Sequence, residues 1–143
     1  FGGDGDVFEL GGGRAGDISE DLTNKLNGLF ANGGTPLYDG ICSATQKINE
    51  VQAAHETNNE NRLYGIVVLS DGQDTASANT QNQMFNCLPS GESVEGTKVF
   101  TIAFGDDADA DLMLRIANRT NGKTFKGDPA SIESIYNAIS AEQ

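Results

Sequence analysis

Two glycine-rich runs carry the oxygen donors best suited to chemistry. They are Gly33-Gly34-Thr35-Pro36-Leu37-Tyr38-Asp39-Gly40 and Leu69-Ser70-Asp71-Gly72-Gln73-Asp74-Thr75. The Thr35 hydroxyl stands at the start of a helical pattern, and the Asp71 carboxylate follows an apolar strand. Hard oxygen donors on loops held by a rigid sheet suit Mg²⁺ or another small hard cation. Taken singly, each has a plainer reading: a Thr before a helix is commonly an N-cap, and an Asp before Gly is commonly a turn residue. Ligands of open α/β sheets bind beyond the carboxyl ends of the strands. The two residues therefore act together only if the fold brings both loops to one rim.

The elements that must position them follow from periodicity. Residues 7–10 read as a short strand closed by three glycines. Ile18, Leu22, Leu26, Leu29 and Phe30 recur at helical spacing, with Asp17 as N-cap and Glu20 three residues on, and Asn32-Gly33-Gly34 ends that helix. The next helix begins near Pro36 and places Leu37, Ile41, Ala44, Ile48 and Val51 on one face, with residues 55–62 as a loop. Residues 64–69 form an apolar run without alternation, the pattern of a parallel strand buried on both faces. A helix over 77–88, a loop over 89–96 and a second buried strand over 98–104 follow. Asp109 caps a helix bearing Leu112, Met113, Ile116 and Ala117 that stops at Asn121-Gly122. A final strand spans 124–126, and Asp128-Pro129 opens a last helix with Ile132, Ile135, Tyr136 and Ile139 facing inward. Alternating strands and helices predict an α/β fold with a mainly parallel sheet.

At 143 residues the chain is expected to form one domain, 1–143. Its hydrophobic fraction of 37% is ordinary for a globular protein, and no apolar run is long enough to span a membrane. Opening on Phe1 without Met, it reads as processed or excised. A net charge of −12 with no basic cluster argues against nucleic acid and anionic membranes as partners. Cys42 and Cys87 match no zinc spacing, and the single His55 cannot complete such a site. They read as free, half-buried thiols, with a disulfide as the alternative in an extracellular protein.

Other polar groups have structural explanations. Asp107, Asp109 and Asp111 alternate like calcium ligands but lack the central Gly and terminal Glu of an EF-hand, so capping accounts for them. Asp4 and Asp6 flank a turn glycine. Asn118-Arg119-Thr120 matches a glycosylation acceptor, relevant only in a eukaryotic secretory pathway. His55, at a helix end, favours the dipole rather than catalysis.

Four segments in order resemble the von Willebrand factor type A domain family over nearly the whole chain. They are Gly34-Thr35-Pro36-Leu37-Tyr38-Asp39, Val67-Val68-Leu69-Ser70-Asp71-Gly72 with Asp74-Thr75, Thr101-Ile102-Ala103-Phe104-Gly105-Asp106-Asp107-Ala108, and Leu114-Arg115-Ile116-Ala117 before Thr120-Asn121-Gly122. The bacterial secreted or membrane-associated branch is most similar, implying an extracellular, periplasmic or membrane-associated location. The resemblance implies a Rossmann-like three-layer α/β/α fold of strand order 3-2-1-4-5-6. It also implies a metal-ion-dependent adhesion site (MIDAS), in which Thr35 and Asp71 act with an Asp-x-Ser-x-Ser loop. Mg²⁺ (or Mn²⁺ or Ca²⁺) there bridges to an Asp or Glu of a partner protein. No Asp-x-Ser-x-Ser occurs in this sequence. The expectation is thus an N-terminally truncated domain whose first, central strand lies upstream. The gap would be filled by an upstream segment, an associated fragment or a swapped strand, since open edges promote aggregation. With Thr35 and Asp71 alone, Mg²⁺ binding should be weak or absent.

The implied function is a protein–protein interaction module and not an enzyme. A metal-independent scaffold of the same fold is the alternative. A haloacid-dehalogenase-like Mg²⁺-dependent phosphatase fits less well, because it needs Asp-x-Asp at the strand end and the second acid here arrives only at Asp74.

Overall fold

The computed structural model describes residues 33–58, 62–89 and 96–141, together with 23, 24 and 27. The expected strand over 7–10, Asp4 and Asp6 lie outside the described residues. So does the helix over 18–30, except that Thr23, Asn24 and Asn27 are helical. The remainder is mixed α/β: α1 (Leu37–Thr57), β1 (Gly65–Ser70), α2 (Gln81–Cys87), β2 (Lys98–Phe104), α3 (Ala110–Arg119), β3 (Thr124–Gly127) and α4 (Ile132–Ala141). The three strands form a parallel sheet in the order β1-β2-β3. Gly65 pairs with Lys98 through Ser70 with Ala103, and Thr101 with Thr124 through Phe104 with Gly127.

Side-chain alternation along the strands divides the core in two. Ile66 and Val68 of β1 and Val99 and Ala103 of β2 pack with Leu37 and Ile41 of α1, Met84 and Leu88 at α2, and Leu112, Met113 and Ile116 of α3. Phe100 and Ile102 point to the opposite face and meet Ile135 and Ile139 of α4. Helices therefore lie on both faces of the sheet, as the apolar run of β2 predicted. Each fully buried aliphatic or Met side chain contributes roughly 1.5–3 kcal/mol relative to exposure.

Helix α3 follows its sequence signals closely. Asp109 accepts a hydrogen bond from Leu112 N at 2.9 Å, the four expected apolar residues are buried, and Asn121 takes a left-handed φ of 55° beyond the end. At the start of α4, Asp128 Oδ1 accepts from Ala130 N at 2.8 Å and Ser131 N at 2.9 Å. The N–H groups of Ser131 and Ala130 hold the Asp128 carboxyl below its ordinary pKa.

Several expectations need correction. Cys42 and Cys87 are not free thiols; they form a disulfide with a Cα–Cα distance of 5.2 Å, joining α1 to the end of α2. Two cysteines 45 residues apart carry no local sign of pairing. Residues 55–57 are not loop, because α1 runs on to Thr57. His55 is held there by its Nδ1 contact of 2.7 Å with the Tyr64 hydroxyl and by ring stacking on Tyr64. Helix α2 starts at Gln81 rather than 77, since Thr80 forms a capping box with Gln83. Strand β1 is not buried on both faces: Val67 is 38% exposed. Tyr136 does not face inward but is 46% exposed, because the side of α4 that packs on the sheet is formed by Ile135 and Ile139, with Ile132 partly buried beside them. Among the described residues, no helix is long and apolar enough to cross a membrane.

Candidate metal centre

Because the strands are parallel, Asp71, the Gly105-Asp106-Asp107 turn and Asp128 all follow strand carboxyl ends and share one rim. Whether Thr35 joins them depends on the amino end of α1. That end has a capping problem: its N-cap is Pro36, which provides no side-chain hydrogen bond. The orphan N–H groups of a first helical turn must find partners elsewhere.

The loop following β1 supplies them. Tyr38 N donates to Asp74 Oδ1 at 3.2 Å and to Ser77 Oγ at 3.0 Å, and Asp39 N donates to Ser77 Oγ at 3.1 Å. Ser77 in turn donates its hydroxyl to Asp74 Oδ1. The exchange is reciprocal. Asp39 Oδ2 accepts from Ala78 N at 2.8 Å, while Oδ1 accepts from Asn79 N at 2.9 Å and Asn79 Nδ2 at 2.7 Å.

Thr35 is tied to the same loop through its backbone. Thr75 N donates to Thr35 O at 3.0 Å, and Thr35 N donates to Thr75 Oγ1 at 2.8 Å. Gly34 makes this approach possible, since a Cβ there would lie 2.8 Å from both Ala76 Cβ and Thr75 Oγ1. The loop carrying Thr35 is thus bonded directly to the loop that opens with Asp71.

The two predicted donors are not consumed by this clamp. Thr35 is not the N-cap of α1, and Asp71 makes no turn-type hydrogen bond. Ser70 serves the turn instead, donating its hydroxyl to Gly72 O at 2.9 Å. Among the described residues, neither the Thr35 hydroxyl nor the Asp71 carboxylate has a hydrogen-bond partner. Both are hard oxygen donors of the type Mg²⁺ prefers, but two fall short of an octahedral set. Among the described residues, no group of three or more His, Cys, Asp or Glu side chains could hold a metal ion.

Of the remaining sequence candidates, Asp109 and Thr120 have structural roles. Asp109 caps α3, and Asp106 pairs with Lys126 at 3.2 Å on an exposed surface, where such pairs contribute little. Thr120 of the glycosylation pattern is buried, with its hydroxyl donating to Ala117 O at 3.2 Å and accepting from Val99 N at 2.9 Å. Sequence reasoning missed the clamp residues Asp39, Asp74, Thr75 and Ser77. Three of them lie in segments quoted above, but nothing local marks a contact across about 40 positions.

The clamp makes an acid-sensitivity prediction. The N–H groups of Ala78 and then Asn79 hold the Asp39 carboxyl below its ordinary value of 3.8. A depressed native pKa means that the stabilisation is fully present above 3.8 and is lost as pH falls through the lowered native value. Amide chemical shifts of Ala78 and Asn79 should therefore move together in that acid window. In Asp39→Asn the same shifts should stay flat between pH 5 and 2, values of roughly the span over which such carboxylates titrate. Unaltered titration in the variant would exclude Asp39 as the acid-sensitive group.

No family model matches the chain. No curated protein matches it either. Among solved structures, it is similar to an uncharacterized membrane spanning protein from Vibrio fischeri, with 22% identity and a TM-score of 0.49. The match covers 65% of this chain and 54% of that one, so the chain spans about half of that protein's length. Likeness at this level carries no functional argument.

Proposed function

We propose that the chain is part of a von Willebrand factor type A-like domain whose carboxyl-end rim binds a partner protein. In a domain that also has a third ligand loop, Thr35 and Asp71 would hold Mg²⁺. The carrying observation is that the Thr35 and Asp71 loops are bonded to each other while both side-chain oxygens stay unengaged among the described residues. A fold that needed these residues only as cap and turn would have used their oxygens for that purpose. The cation would supply a positive centre to which a partner's Asp or Glu binds. Thr35 contributes a neutral oxygen and Asp71 a single negative charge, so the pair leaves most of the cation's charge for the partner.

Two observations bear on the other readings. Asp74, the second acid a phosphatase would need, accepts hydrogen bonds from Tyr38 N and Ser77 and is part of the clamp, which supports a binding module over an enzyme. The shortage of ligands among the described residues favours a metal-independent scaffold as the second reading. The disulfide supports an oxidising, extracytoplasmic setting.

Thr35→Ala and Asp71→Ala separate these readings. In a domain carrying all three loops, either change should abolish Mg²⁺-dependent partner binding, while stability stays within about 0.5 kcal/mol of the parent. Partner affinity that survives both substitutions and EDTA would establish the metal-independent scaffold instead.

A further inference from the structure

The segment 78–87 is tied to α1 at both ends. At its start, Ala78 and Asn79 are bound by the Asp39 carboxylate. At its finish, Cys87 is bridged to Cys42. Asp39 and Cys42 stand three residues apart on α1, which makes them neighbours on one helical face. One turn of α1 therefore holds both ends of the segment, by hydrogen bonds at one and by a covalent bond at the other. The same turn begins at Leu37, two residues after Thr35.

The covalent tie is open to solvent reagents. Cys42 and Cys87 are only partly buried, and with Asp39, Gln46, Asn49 and Asn79 they line an open groove of about 820 Å³ along α1. The bridge and the clamp thus border the same space. Fully buried Met84 and buried Leu88 anchor α2 to the core independently of the bridge. Breaking the bridge leaves those contacts in place, and residues 74–79 are then held against the amino end of α1 by the clamp's hydrogen bonds alone.

We propose that Cys42–Cys87 is a redox-operated latch on this rim. The oxidised chain holds the Asp71-to-Asn79 loop against the Thr35 loop, and the dithiol chain is folded with that contact loosened. The chemistry is thiol–disulfide exchange with a protein dithiol. A thiolate of the dithiol attacks one bridge sulfur, the Cys42–Cys87 bond breaks, and a mixed disulfide forms. The second thiol then displaces the remaining cysteine. Two electrons and two protons pass to Cys42 and Cys87, and the reductant ends as its own disulfide. Oxidation by a protein disulfide is the reverse, so a chain made reduced acquires its assembled rim when the bridge closes. That this governs partner binding rests on the adhesion-site reading above; the latch itself does not.

Amide hydrogen exchange on the oxidised and dithiothreitol-reduced protein tests it without metal or partner. The amides of Tyr38, Asp39, Thr75, Ala78 and Asn79 should exchange at least about tenfold faster after reduction, through denaturant-independent local opening. Val99 and Thr101 in β2 should exchange only by global unfolding in both forms. Rim amides that are unchanged, or that exchange only through the same denaturant-dependent global unfolding as β2, overturn the proposal, as does a reduced chain that is unfolded. The reduction rate of the native oxidised protein gives a second readout: it should rise in proportion to dithiothreitol, and a plateau at the unfolding rate also overturns the latch. Exchange that passes while Mn²⁺ and an acidic peptide bind equally to both forms keeps the latch and removes its link to adhesion.

Discussion

Replacing both cysteines (Cys42→Ser with Cys87→Ser) is expected to lower stability to unfolding by about 4 kcal/mol. The loop that the bridge closes spans 45 residues and contains all of β1, the rim loop and α2. Cross-linking a loop of that length removes conformations from the unfolded chain, and the cost of closure grows only slowly with length. An effect of this size is a large share of the total stability of a typical domain, so the urea midpoint should fall sharply, and the slope should rise as the unfolded chain, freed of its cross-link, exposes more surface. The same loss should follow from reducing the parent protein. A midpoint that does not move would mean that packing of Met84 and Leu88 already restricts the unfolded chain, or that the bridge strains the native one.

Gly122→Ala is expected to cost about 3 kcal/mol or more, the upper range for forcing atoms into a packed site. A Cβ at residue 122 would lie 2.0 Å from Val99 O and 2.7 Å from Val99 C. Those atoms are backbone of the central strand, held on one side by pairing of Val99 with Ile66. They cannot retreat as a flexible side chain would. The turn cannot lift away cheaply either, because Thr120 Oγ1 accepts from Val99 N and Lys123 O accepts from Thr101 N at 3.0 Å. Gly122 N also donates to Ala117 O at 3.0 Å, closing the end of α3. The Asn121-Gly122 pair thus does two things: Asn121 reverses the chain with its positive φ, and Gly122 lets the turn touch β2. Alanine at the exposed Gly40, where a Cβ meets nothing within 4 Å, is the control and should be neutral or slightly stabilising. Equal stability of both variants would refute the close-approach argument.

The features legible in sequence are those where one local signal agrees with the tertiary demand. Leu112, Met113, Ile116 and Ala117 recur at the helical period, Asp109 precedes them and Asn121 follows, so α3 is specified from within. The apolar run of β2 is likewise buried along its middle. Strand β1 has the same composition, but Val67 lies on a sheet face that α4 reaches mainly through Phe100 and Ile102, and hydropathy does not encode that offset. Thr35 and Asp71 were picked out by type and position, and the fold brings their loops together. What joins those loops was not legible. The clamp is made of small polar side chains acting across 36 to 40 positions. Their local alternatives, as caps and turns, give an identical sequence pattern. The disulfide is the same kind of case, since cysteine spacing constrains pairing only where geometry is already known.

Cation binding between the Thr35 and Asp71 loops is the proposal on which the adhesion reading depends. Manganese titration of ¹⁵N-labelled protein tests it most directly, because the paramagnetic ion broadens nearby amides even when binding is weak. Broadening should centre on residues 35–38 and 71–75 and disappear in Asp71→Ala. Broadening centred on the Asp106–Asp111 acids, or a pattern unchanged by Asp71→Ala, would contradict the proposal.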